Sequence, residues 1–225
     1  MTSFFIFPLV IFLTLAGLLF VAISYPRREP ESKEVESKFL LNVYFSLVLL
    51  ISSFAVFWGA SLMIKAGLAY QFGIPFSYQG EVKYPAPIMA KRPPSPGEEM
   101  QPPKPMGITY EEHIREKDTL QGAMFLLFGI LFFLAHQKAS RYAIGDNVHK
   151  FLTKSYHLIG TLVYGGITLV SIPLAFYTML ERALFKEILT PENLYRFQFP
   201  GELLGYAIPA LIIWYSFFRH ILKKN

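Results

Sequence analysis

Five apolar stretches, separated by charged ones, organise this chain. Residues 4–24 carry no charge. Residues 39–66 carry only Lys65. Residues 119–137 and 156–180 carry none, and residues 203–218 lie between Glu202 and Arg219. A helix rising about 1.5 Å per residue needs about 20 apolar residues to cross a hydrocarbon core about 30 Å thick. Each stretch is therefore predicted to be a membrane-spanning helix, the last being the shortest. The fold class expected is an all-α membrane protein with about five spans.

The intervals have their own signals. Residues 67–117 form one long interval, and Pro85, Pro87, Pro93, Pro94, Pro96, Pro102, Pro103 and Pro105 crowd its middle. That density prevents helix and central strand and favours extended polyproline conformations. Thr109 is positioned to cap a helix through Glu111 and Glu112 that runs into the third span. Thr190-Pro191-Glu192 reads as another helix start, with proline at the first position. Pro173 and Pro209 fall inside the fourth and fifth spans and are expected to kink them, because proline removes a helical hydrogen bond.

Charge sets the expected orientation. Lysine and arginine concentrate in short cytoplasmic segments of membrane proteins. With five spans and the N-terminus outside, the cytoplasmic stretches hold Arg27, Arg28, Lys33 and Lys38, then Lys138, Arg141, Lys150 and Lys154, then Arg219, Lys223 and Lys224. The other basic residues spread over much longer outside segments. Met1-Thr2-Ser3 lacks the positive charge of a secretory leader, and Arg27-Arg28 follows the apolar run instead. The first span is therefore read as an uncleaved anchor. The predicted location is a prokaryotic cytoplasmic membrane, with the C-terminus inside.

Composition adds exclusions. The chain is 53% hydrophobic and only 16% charged, against about a quarter charged in soluble domains. It has no cysteine, which removes disulfides, thiolate metal sites and cysteine-ligated iron–sulfur clusters. The net charge of +5 sits beside the spans, so it is assigned to topology and lipid headgroups rather than to nucleic acid.

Two segments look alike. Lys38-Phe39-Leu40 opens the second span, and Lys150-Phe151-Leu152 opens the fourth, 112 positions later. At the same offset Tyr44 aligns with Tyr156, Ser53 with Gly165 and Gly59 with Ser171. Each unit then runs span, outside segment, span, basic exit, the exits being His136-Gln137-Lys138 and Arg219-His220. A two-span unit returns to its starting face, so the repeats are expected to be parallel. The chain accordingly divides into an anchor and linker (1–37), a first two-helix unit (38–141) and a second (142–225). In these duplicated pairs, each ending in basic residues, the chain resembles an uncharacterised prokaryotic integral membrane family known only as a domain of unknown function. That resemblance covers about three-quarters of the chain, omitting the first span and the proline-rich interval. It implies a helical membrane fold and no activity.

Small residues let helices approach closely in lipid. Ser52, Ala55 and Gly59 lie at helical spacing in the second span, and Thr161, Gly165 and Thr168 in the fourth. These faces are expected to meet each other or a neighbour. No ionisable residue lies near mid-span; Lys65, Glu181 and Glu202 lie near outside ends, which argues against ion-coupled transport. His136, His157 and His220 all fall toward the cytoplasmic side. Two of them close together would suit a bis-histidine haem b site; otherwise they are interfacial polar residues. Phosphate-binding loops, zinc-protease helices and serine elbows do not occur, and no catalytic or metal residue is assigned. The function expected is a non-catalytic accessory or scaffold subunit of a larger membrane complex, respiratory or photosynthetic, with other membrane subunits and lipids as partners. The alternatives are a haem b- or quinone-binding electron-transfer protein and a transporter or channel for an uncharged solute.

Overall fold

The computed structural model describes residues 33–78, 110–144, 150–184 and 199–222, with side chains from 38, 112 and 152 in the first three segments and to 143 in the second. The predicted first span, the proline-rich interval, Thr109, the Thr190-Pro191-Glu192 helix start and His149 lie outside them. The described chain is helical: α1 (Lys33–Phe72), α2 (Ile74–Ser77), α3 (Tyr110–Ile144), α4 (Lys150–Leu184) and α5 (Pro200–Leu222). Among the described residues, four helices are long and apolar enough to cross a membrane. The protein is therefore an all-α integral membrane protein.

The helices exceed their apolar stretches. At about 1.5 Å per residue, α1 is about 60 Å long and α3 and α4 about 52 Å each, well beyond the hydrocarbon core. The excess is polar helix. In α3 it is the segment from Tyr110 through Asp118, where Thr119 Oγ1 donates back to Arg115 O at 2.8 Å. Apolarity finds the part of a helix that lipid must cover, and the backbone ladder continues past it into water. Both α4 and α5 run unbroken through Pro173 and Pro209.

Sequential helices form two antiparallel hairpins, α1 with α3 and α4 with α5. The hairpins join because α1 also packs along α5 and touches α4. Glycines decide how close the arms come. A Cβ on Gly59 would strike the Leu126 backbone N and lie 2.7 Å from Gly122 O; one on Gly129 would lie 2.8 Å from Val56 N. Backbone therefore meets backbone along the α1–α3 seam, as small residues permit in lipid. Gly160 receives the Phe217 ring and Gly165 the Trp214 ring, 2.9 Å from where a Cβ would be. Gly201 and Gly205 bring α5 against Ser77 and against Ser61 and Lys65.

The small faces of α1 and α4 thus do not meet through Gly59 and Gly165; each glycine meets its own hairpin partner. Ala55 and Gly59 face α3, and Ser52 is buried. Thr161 and Thr168 return their hydroxyls to their own helix, donating to His157 O and Tyr164 O at 2.8 Å each.

The core lies between α1, α4 and α5, where Leu50, Phe54, Phe57, Tyr164, Ala210 and Phe217 form one buried cluster. One polar link crosses it. Ser53 Oγ donates to Leu50 O at 2.8 Å and lies 2.9 Å from Tyr164 Oη. A hydroxyl has one proton, so Tyr164 is the donor in that second bond.

Candidate functional sites at the two ends of the bundle

One end carries Lys38, Lys138, Arg141, Lys154 and Arg219, and is called the basic end below. There α3 does not close against α4 and α5. A cavity of about 400 Å³ opens between the hairpins, within the usual range for ligand pockets. Its walls come from residues 42–49 of α1, 133–141 of α3, 153–157 of α4 and 216–220 of α5. Phe45, Leu49, Phe133, Tyr156 and Phe217 supply apolar surface; Asn42, Ser46, Gln137, Ser140, Arg141, Thr153, His157, Ser216 and His220 supply polar groups.

His157 and His220 stack in this cavity, ring centroids 5.0 Å apart and planes 25° from parallel. The cause is local. His157 Nδ1 lies 2.7 Å from Thr153 O, and His220 Nδ1 2.7 Å from Ser216 O. A carbonyl only accepts, so Nδ1 carries the proton in each bond and the rings are held against their own helices. The antiparallel register of α4 and α5 then lays one ring on the other.

His136 shares the local habit, with Nδ1 2.8 Å from Phe132 O. It sits elsewhere, beside Tyr44 and Phe45 at centroid distances of 6.2 and 6.4 Å, and does not line the cavity. Of the three histidines singled out in the sequence, the fold brings together two. A bis-histidine site would need a ring nitrogen of each histidine directed at one metal ion. Stacked rings present faces instead, so an iron held by this pair requires the rings to turn apart. No group of three or more metal-ligating side chains occurs among the described residues.

The far end is a polar cap. Gly73, at φ 91°, lets the chain turn after α1 into α2, whose start is set by Pro75. Lys65 Nζ lies 3.2 Å from Asp118 Oδ2, with side-chain exposures of 18% and 14%, and 4.3 Å from the centre of the Tyr78 ring. Lys65 is thus an ion-pair partner within the bundle, not a side chain reaching for headgroups. Burial first, and then the Asp118 charge, push the Tyr78 phenol well above the ordinary tyrosine range. Its ring stays neutral beneath the ammonium. The Arg115 guanidinium lies 3.9 Å over the Tyr70 ring, and Arg182 Nη1 donates to Pro75 O at 2.8 Å. Ser77 Oγ, Arg115 Nε and Arg182 Nε are buried without hydrogen-bond partners.

Sequence reading missed Gly122, Gly129, Gly160, Gly201 and Gly205, and the Lys65–Asp118 pair. The glycine signals were present as a seven-residue spacing in α3 and a Gly-x-x-x-Gly in α5. The ion pair had no signal, because nothing local relates positions 65 and 118. No family model matches the chain, and it matches neither a curated protein nor a solved structure.

Proposed function

We propose that this chain is a non-catalytic accessory or scaffold subunit of a larger membrane complex. The observation that carries this reading is the placement of α3. Only 11% of its apolar window is buried, against 44% for α1. Among the described helices, its substantial packing is on α1 alone. Leu120, Met124, Leu127, Phe128, Leu131 and Leu134 stand bare along the rest. Lipid covers any apolar face. The point in favour of a protein neighbour is rigidity: a close glycine seam, an ion pair and a cation–π contact hold α3 firmly at the edge of the bundle. Large side chains on a rigid helix keep the small conformational cost that helix–helix recognition in lipid needs.

In this reading the basic end faces the cytoplasm, by the distribution of lysine and arginine. The two hairpins are a duplicated unit; their parallel arrangement and shared Lys-Phe-Leu openings support that. The proline-rich interval then lies outside.

Photo-crosslinking in native membranes tests the proposal. A benzophenone amino acid at Phe128 or Leu131 of α3 is expected to give discrete adducts with another protein. The same probe at Leu169 of α4, which is 77% exposed, serves as the lipid-facing comparison. Lipid adducts alone at all three positions would sink the proposal.

A further inference from the structure

We infer that the basic-end cavity binds a phosphate-bearing amphiphile, such as an anionic phospholipid taken from the surrounding leaflet. This inference does not depend on the accessory-subunit reading.

Charge is the first argument. Among the described residues, Arg141 lines the cavity with two imidazoles, and no carboxylate does. The guanidinium is a permanent cation with a planar set of donors that matches phosphate oxygens. Ser46, Ser140 and Ser216 add hydroxyls that can donate to the same oxygens. Among the described residues, Lys38, Lys138, Lys154 and Arg219 surround this end, and their field also favours an anion. Basic pockets between membrane helices at the cytoplasmic face are suited to acidic headgroups for this reason.

Shape is the second. The cavity straddles the ends of the apolar stretches: Ser140, Arg141, Thr153 and His220 lie beyond them, and Phe45, Leu49, Phe133 and Phe217 lie within them. Its deeper wall is apolar, with Leu49, Phe133 and Phe217. α3 is packed on α1 and apart from α4 and α5, so the gap between hairpins faces the lipid sideways. A soluble anion would use the polar rim alone. A phospholipid would place its phosphate on the rim and its first carbons on the aromatic wall. The stacked histidines form one side of the slot.

The test uses the full chain purified from membranes in mild detergent. Native mass spectrometry is expected to show one retained anionic phospholipid per chain. Added phosphatidylglycerol should raise the thermal unfolding midpoint, and phosphatidylcholine or inorganic phosphate should not. Arg141→Glu and the cavity-filling Ser46→Phe should each lower lipid occupancy at least about tenfold, the loss of one charge-assisted contact. Arg219→Glu, at the same end but outside the cavity lining, should retain it. Retention in both cavity variants would overturn the inference, as would a wild-type chain that carries no lipid because its own N-terminal residues fill the slot. Equal stabilisation by phosphatidylcholine would overturn the role of charge. Equal stabilisation by inorganic phosphate would replace the amphiphile with a soluble anion. The wild-type lipid comparison needs no variant to fold.

Discussion

Replacing Gly59 by alanine is expected to separate α1 from α3 and to cost about 3 kcal/mol or more of unfolding free energy. The added methyl would strike the Leu126 backbone and crowd Gly122 O at 2.7 Å. A flexible side chain could swing away; a helix backbone cannot. The hairpin must open by the width of a methyl group, and the Gly129–Val56 approach, three residues along α1, opens with it. Gly166 is the comparison, because a Cβ there meets nothing within 4 Å. Gly166→Ala should be neutral or slightly stabilising, since alanine is the better helix former. Denaturation in mild detergent, followed by circular dichroism, reads both. Equal behaviour of the two variants would mean that the glycine seam does not hold α3.

The second large effect is expected at the far end. Asp118→Asn removes the partner of an ammonium that is only 18% exposed, and should cost about 3 kcal/mol. The cation–π contact with Tyr78 does not replace a carboxylate at 3.2 Å. The paired change Lys65→Met with Asp118→Leu should recover most of the loss, because two apolar side chains of similar size leave no buried charge. A double-mutant cycle on unfolding free energies separates the interaction from the individual losses. If Asp118→Asn costs less than about 0.5 kcal/mol, the pair is solvated in the membrane-bound protein and the cap does little to hold α3.

These two sites show what the amino-acid order made legible. The four described spans were readable because lipid imposes a one-dimensional rule: about 20 apolar residues, whatever the neighbours do. Their ends were less readable, since the helical ladder of α3 continues through Glu112, Arg115 and Asp118 on hydrogen bonds that hydropathy does not see. Glycine positions were readable as candidates for close approach, but not their partners. Gly59 and Gly165 both occupy small-residue stripes, yet one faces α3 and the other holds a tryptophan. Which way a stripe points depends on the rotation of each helix about its axis. The histidines repeat the lesson. Their common end of the bundle followed from topology; the stacking of His157 on His220 required the register of α4 on α5, and the separation of His136, beside Tyr44 and Phe45, required the rotation of α3 against α1.

The most direct measurement of the central claim is native sizing. Membranes expressing the chain at its natural level would be extracted gently, the protein separated under native conditions, and everything that co-migrates identified by mass spectrometry. An accessory subunit is predicted to run well above its own 25.7 kDa plus detergent, with at least one different membrane protein in fixed ratio. A chain that runs alone, at the size of one protomer in its micelle, would contradict the account.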